Sequence, residues 1–510
     1  MHTVRLGLYT TKHDCQILEK RFHAICHIHN VMVKHARALL IRLKYDKEFQ
    51  CLKSEYSELI KKKNSINRGY LSKEESSRKK YLSRQMTDIL IKEGLSEYGF
   101  HSYIKVCGRQ FRKCLAGQQI QKEATRVWRG TEEVIFGNGA GIHFKKYTDI
   151  RTISGKSNSN GAIFSKDTMS VKWKGLSFKC RLPKDTSYIE EALESDISYC
   201  EIERKMFPNG WHYYVIIYFK GEAPRKKKNI GDRDNITGID IGTSTMAAVS
   251  DNAASLKELA PRCRDYNRRI EKLSVRMDNS IRMMNPNKYN PDGTIDKANH
   301  DDWKFSKTYI KNQRKLRSLY RQKSAYIKQS HEEIINQLIE DSVTFIIEDM
   351  SFKGLQRRSK NTKRSDKTTA IMKKDGTVKQ VCKYKRKKRF GRSLNNRAPA
   401  SFISILTSKA VLYGGGVCMV KTKEFRASQY DHATDTYLRA PLRERGKLID
   451  GYYVQRDLYS AFLLKNTNKD LSKPDREKCI NGFNRFIELH NELIEQMKQD
   501  NISMKQCFGF

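Results

Sequence analysis

Residues 238–250 read GIDIGTSTMAAVS, a buried strand and the turn that follows it, with one acid, Asp240, inside the apolar run. An ionised carboxylate on a buried strand is costly unless it is paired or holds a metal, so Asp240 reads as a functional position. Outward from it, residues 343–350 read VTFIIEDM, a second buried strand that ends on Glu348. Residues 454–462 read VQRDLYSAF, where Leu458, Ala461 and Phe462 open a helix behind Asp457. An acid at a helix start is also a good cap, so Asp457 alone reads equally well as structural. Strands alternate with helices through this half, which implies an α/β layer fold. More than one hundred residues separate each acid from the next, so only a tertiary fold can bring the three together. If it does, their hard oxygens could hold two Mg²⁺ ions about 3.5–4 Å apart. The substrate would then be a phosphodiester.

The composition agrees with such a substrate. The 510 residues carry 99 Lys+Arg against 57 Asp+Glu, a formal net charge of +42, with 38% hydrophobic residues. The length suggests about three to five structural units. So large a surplus repels itself unless a polyanion sits against it. No apolar run reaches the roughly eighteen residues a spanning helix needs, and the first residues do not form a signal peptide. Nucleic acid is therefore the expected partner rather than membrane, and the expected place is the cytoplasm of a prokaryote, at the nucleoid. The twelve cysteines form no Cys-x-x-Cys pair and read as reduced thiols.

The front half is of a different kind. A β-like start, Val4 to Tyr9, leads into a long helical region ending near Trp128, with Ile17, Leu18, Phe22, Ile25, Val31 and Met32 at helical spacing. From about Gly137 to Gly221 the pattern turns to strands and predicts a small barrel or sandwich, with Asn209-Gly210 as the positive-φ pair of a tight hairpin. The basic stretch GEAPRKKKNIGDRDNIT (221–237) predicts a domain boundary. Two helical patterns flank residues 285–302, the second with Leu316, Leu319, Tyr320, Ile327, Ile334 and Leu338 along one face. Residues 356–397 hold seventeen Lys/Arg against two Asp, as an exposed, partly disordered arm would.

GIDIGTS, FIIEDMSFKGL and QRDLYSAF, in this order, resemble the three motifs of a RuvC-type nuclease domain in TnpB, the transposon-encoded RNA-guided nuclease, and in the miniature type V CRISPR effectors. Ser428-Gln429 and the Arg456-Asp457 pair strengthen the resemblance. It implies a multidomain α+β chain: an N-terminal helical recognition region, a small β-barrel wedge-like domain and a C-terminal RNase H-fold (RuvC-like) α/β nuclease domain. On this reading 1–10 is the first strand of the wedge-like domain, 11–136 the recognition domain and 137–225 the rest of the wedge. Residues 226–425 carry motifs I and II with the basic insert 356–397, 426–454 form a target-strand-binding insert, and 455–510 carry motif III and the last helices. The resemblance further implies Asp240, Glu348 and Asp457 as catalytic Mg²⁺ ligands for two ions, with Mn²⁺ as a substitute. The implied partners are a guide RNA and a double-stranded DNA target with a short adjacent motif, with one protein copy or a homodimer on the RNA.

One departure is plain. In the family that the chain resembles, Ser-Gln usually opens a four-cysteine zinc ribbon, whereas residues 428–457 contain no cysteine. No structural zinc is expected; a hairpin packed by Tyr430, Tyr437 and Tyr452 takes precedence over a metal held by Asp431 and His432. Arg439, Arg443, Arg445 and Arg456 are candidate nucleic-acid contacts, and Trp128 and Tyr384 candidate stacking platforms. Asp349, next to Glu348 on a strand, faces the other way and matters less. Three rivals remain. GIDIGTS also resembles the phosphate loop of sugar kinases and actin-like ATPases, but a chain of this charge suits a small-metabolite kinase poorly. An RNA-guided repressor without cleavage and a RuvC-fold transposase or nuclease without guide RNA are the others.

Overall fold

The computed structural model describes residues 1–65, 71–137, 139–224, 230–296, 298–357, 363–372, 378–384, 390–439, 441 and 444–502. It divides into two compact units, Met1–Lys226 and Lys227–Phe510. The division falls inside the basic stretch 221–237. Among the described residues no helix is long and apolar enough to cross a membrane.

In the first unit the N-terminal strand β1 (His2–Leu8) alternates buried and outward residues, the signature of a strand with one face on a core. It sits mid-sheet, antiparallel to β5 (Leu176–Arg181) and β7 (Gly210–Phe219). With β2 (Thr152–Ser154), β3 (Ile163–Ser165), β4 (Ser170–Trp173) and β6 (Ile197–Phe207) the hydrogen-bonded order is β2-β6-β7-β1-β5-β4-β3. That order is a run with two ends, β2 and β3, rather than the closed ring of a barrel. Asn158 spans part of the gap: its amide bonds both backbone polar groups of Phe164 at 2.9 and 3.0 Å and accepts from the Cys200 thiol at 3.3 Å. The β6–β7 turn also differs from the expected pair. Phe207 pairs with Gly210, so Pro208-Asn209 form the loop, and of the expected pair only Gly210 takes a positive φ, 126°. Pro208 fixes φ near −65° at the first loop position and thereby shifts the turn by one residue.

Helix α1 (Lys12–Tyr45) opens on a capping box, in which the Asp14 amide donates to Thr11 Oγ1 at 3.1 Å and the Thr11 amide to Asp14 Oδ2 at 2.8 Å. Leu18, Phe22, Ile25, Met32 and Val33 bury its inner face. Helices α2 (Lys47–Ser65), α3 (Lys73–Lys92), α4 (Glu97–Cys107) and α5 (Gly117–Ile135) follow, and the short α6 (Ser187–Leu193) sits between β5 and β6. Arg204 of β6 joins helix to sheet. Its guanidinium is buried 4.0–4.2 Å from the rings of Phe22, Tyr147 and Trp211 and donates to Ile150 O at 2.9 Å.

The second unit is built on a five-stranded sheet, β10-β9-β8-β11-β14. Strands β8 (Asp232–Ile241), β9 (Thr245–Val249) and β10 (Ala254–Glu258) are an antiparallel meander; β11 (Ser342–Glu348) runs parallel to β8, and β14 (Gly416–Val420) parallel to β11. Thr245–Val249, expected as part of a turn, is thus a strand. All five residues are buried, so the alternation that marks a half-exposed strand is absent. Helices α7 (Cys263–Met284) and α8 (Lys307–Asp341) form a hairpin that meets at Ile270, Leu273, Leu316 and Leu319. The later part of α8 turns Ile334, Ile335, Leu338 and Ile339 to the sheet instead, beside Ile239, Phe345 and Ile347. One helix serves two partners, which is why Tyr320, expected on the buried face, is 52% exposed.

After β11 come the short α9 (Phe352–Leu355), the strands β12 (Arg364–Met372) and β13 (Val378–Tyr384), and α10 (Gly391–Arg397). The basic insert, expected as an exposed, partly disordered arm, carries a β-hairpin and a helix in its described parts. Helix α11 (Pro399–Leu412) joins α8 on one sheet face. Beyond β14 lie the short α12 (Thr422–Phe425) and two two-stranded ribbons, β15 (Tyr430–Asp431) with β16 (Thr436–Tyr437) and β17 (Gly446–Ile449) with β18 (Tyr452–Gln455). Helices α13 (Arg456–Lys465) and α14 (Arg476–Gln499) cover the opposite sheet face, where Leu458, Phe462, Phe483 and Phe486 meet Ala247, Val249 and Ile346.

Candidate active site

The two sheet faces decide where the acids point. On β8, Ile239 and Ile241 belong to the α8 side, so Asp240, like Ile236, faces α13. On β11, Phe345 and Ile347 face α8 while Ile346 faces α13, which turns Glu348 to the same side. The parallel register pairs Ile347 with Ile239, so the next residues, Glu348 and Asp240, end side by side. Asp457 comes from the first turn of α13. That helix lies directly on β8 at Gly238, where a Cβ would stand 2.1 Å from Ala461 O and 2.3 Å from Lys465 N. Gly238 is the residue that permits the crossing, two positions before Asp240.

The electrostatics follow from this crowding. Burial, then the Asp457 and Glu348 carboxylates, push the Asp240 carboxyl well above the usual range, against the opposing pull of Arg456 and Arg445. Burial also raises Glu348, moderated by the Ala427 amide, 3.3 Å from its Oε1, and by the Thr422 hydroxyl. Ala427 is placed by Arg426, a left-handed residue with φ 51°. Asp457 is held from both sides, Arg445 Nη1 reaching Oδ2 and Arg456 Nη2 reaching Oδ1, each at 3.4 Å. Asp349 is exposed, and its amide is spent on Val420 O.

A pure carboxylate donor set with crowded negative charge suits a hard divalent cation. Among the described residues no group of three His, Cys, Asp or Glu side chains is drawn closely enough together to hold an ion as it stands. Both Asp457 oxygens face guanidinium groups.

The remaining candidates fall in different places. Arg456 is 8% exposed and donates to Glu444 O at 2.8 Å, so it orients Asp457 from within rather than meeting a ligand at the surface. Arg445 is half-buried and Arg439 exposed. Arg443 and the Tyr384 side chain lie outside the described residues. Trp128, 9% exposed, stands edge-on to Phe100 at 5.4 Å in the first unit's core, which leaves no ring face for a base. At the cysteine-free insert, Tyr430 and Tyr437 pack at 4.9 Å, while Tyr452 is 48% exposed and meets Phe483 edge-on. His432 is buried among Phe462 and Phe483 with Nδ1 2.8 Å from the Tyr459 hydroxyl, and Asp431 accepts the Ala433 amide at 2.9 Å.

Sequence reading passed over Gly238, Thr422, the Ala427 amide and Lys447. A glycine in a buried strand was the only available signal for the first; the others act through a loop conformation that no spacing reveals. Burial pushes the Lys447 ammonium, which lies over the Tyr459 ring, down to about 8.

No protein-family model and no curated protein matches the chain. Among solved structures it is similar to the cryo-EM structure of a Cas12f1–sgRNA–target DNA complex, with 10% identity, 92% of this chain and 99% of that chain covered, and a TM-score of 0.41. It is also similar to the cryo-EM structure of a CRISPR–Cas12f ternary complex, with 11% identity, 91% and 99% covered, and a TM-score of 0.24.

Proposed function

We propose that the chain is an RNA-guided DNA endonuclease with one acidic centre, formed by Asp240, Glu348 and Asp457. The observation that carries this reading is their gathering on one face of a sheet from three distant elements. The sheet itself supports a RuvC-like, RNase H-type reading, since three antiparallel strands are followed by two parallel ones with helices on both faces. The charge of +42 supports a polyanionic partner. Guide RNA would supply sequence specificity by base pairing, and the target would be double-stranded DNA beside a short motif.

Two Mg²⁺ ions, when bound by the three carboxylates, supply an activated water and charge stabilisation for the leaving 3′ oxygen. The chain's own part is positioning. The parallel register sets Asp240 beside Glu348, the Ala427 amide orients Glu348, the Thr422 hydroxyl ties down the neighbouring Asp349 carbonyl, and Arg445 and Arg456 hold Asp457. That same arginine clamp favours one second reading, a catalytically weak RNA-guided repressor.

The test starts from the gene expressed with its natural flanking DNA, the protein purified in high salt and the bound RNA sequenced. A discrete RNA with a constant scaffold and a guide-like end is expected. Reprogramming that end should direct Mg²⁺-dependent linearisation of a matched plasmid and spare a mismatched one. Random RNA fragments, or cutting that ignores the guide, would overturn the proposal; guided binding without cutting would select the repressor. The insert carries a separate expectation. After dialysis against a chelator, elemental analysis should find no stoichiometric zinc and thermal unfolding should be unchanged, whereas a zinc content near one per chain would contradict the reading of Asp431 and His432.

A further inference from the structure

Helices α7 and α10 wall a cleft of about 430 Å³ that the acidic centre does not use. Its floor is organised by Lys323 of α8, buried at 7% exposure, which donates to Asn267 Oδ1 at 2.9 Å and to Asn396 Oδ1 at 2.7 Å. An ammonium group only donates, so both amides must turn their oxygens to it. Their NH₂ groups are thereby left for the cleft that both residues line.

The walls are cationic. Arg264 and Arg397 share Glu258, and Arg392 pairs with Glu271 at 2.5 Å. Arg268, exposed on the rim, makes no ion pair or hydrogen bond among the described residues. Arg397 is 9% exposed, and its buried Nε has no partner. Four guanidinium groups and an ammonium thus face two carboxylates, and the side-chain nitrogens that remain are all donors. Ser393 spends its hydroxyl on Thr243 O at 3.1 Å, which fastens α10 to the loop leaving β8 just after Asp240.

We propose that this cleft binds a phosphodiester group of a nucleic-acid backbone. A net-positive cleft, whose four guanidinium groups outnumber the Glu258 and Glu271 carboxylates, favours an anion, and forked guanidinium groups match phosphate oxygens in pairs. The volume lies within the range of about 300–1,000 Å³ typical of ligand sites, enough for a phosphate with part of its sugar. The buried, pre-oriented Asn396 and Lys323 distinguish the cleft from the general basic surface, because their donors are fixed before the ligand arrives. The proposal rests on the reading that nucleic acid is the partner.

The test uses the full chain and a fluorescein-labelled oligodeoxythymidylate. Binding is titrated across a salt series for the wild type and for Arg268→Ala/Arg392→Ala, two exposed positions whose truncation leaves the core intact. The plot of log K against log [NaCl] is expected to flatten by about 0.7–0.9 for each phosphate that the variant no longer neutralises. In parallel, amide exchange of residues 391–397 is expected to slow when the oligonucleotide binds the wild type and not when it binds the variant. An unchanged slope with no protection, while the oligonucleotide still binds, would overturn the cleft and leave the nucleic-acid partner standing. No salt-dependent binding by the wild type would remove that partner, and the cleft with it. Protection by adenosine monophosphate but not by the oligonucleotide would assign the cleft to free nucleotides and overturn the backbone proposal.

Discussion

Asp240→Asn is expected to abolish Mg²⁺-dependent cleavage and, in the same molecule, to raise the melting temperature. The first effect removes one carboxylate from a three-carboxylate centre; metal-borne charge stabilisation is worth several kcal/mol, so a loss on the order of a thousandfold or more follows. The second effect has the same cause. Asp240 is crowded by Asp457 and Glu348 and penalised by burial, so its ionised form works against folding. A carboxyl whose folded pKa lies above its unfolded value contributes stability that is present in acid and lost as pH rises through the folded value. The stability gap between Asp240→Asn and wild type, measured in EDTA, should therefore be widest at neutral pH and close on acidification. Cleavage at the wild-type rate would show that Asp240 is no ligand. A lower melting temperature at neutral pH would show that the arginines, not the acids, dominate its surroundings.

The three acids were legible because each breaks a local rule: a charge inside a buried run, a charge ending one, a charge opening a helix. Their convergence was not legible. It depends on the β8–β11 register and on which sheet face each strand turns to α13, and both are settled by packing among Ile239, Ile346, Phe345 and Phe462 rather than by spacing. Fully buried strands were the hardest to divide. Thr245–Val249 shows no alternation, so its boundary with the preceding turn left no trace in the pattern. The single stripe read along α8 failed for a related reason, since that helix changes partner midway. The sequence did show that the insert lacks zinc cysteines. It did not show that His432 lies against aromatic rings and the Tyr459 hydroxyl while Arg476 donates to the His432 and Ala433 carbonyls at 3.0 Å.

Gly238→Ala is expected to cost both stability and cleavage, although it touches none of the acids. The added Cβ would stand 2.1 Å from Ala461 O and 2.3 Å from Lys465 N, both backbone atoms that cannot rotate away, so α13 must lift from β8. Such overpacking costs about 1–3 kcal/mol or more. Lifting the helix also carries Asp457 away from Asp240 and Glu348, and displacements of about 1 Å suffice to lose a hundredfold in rate. Gly416, at the start of the edge strand β14, is the internal comparison. Nothing lies within 4 Å of its would-be Cβ, so Gly416→Ala should melt at or slightly above wild type and keep its cleavage rate. Thermal unfolding and guided plasmid cleavage of the two variants side by side separate the general cost of losing a strand glycine from the specific cost of moving α13. Equal behaviour of the two would mean that α13 does not rest on β8 at Gly238, and the placement of Asp457 beside the other two acids would fall with it.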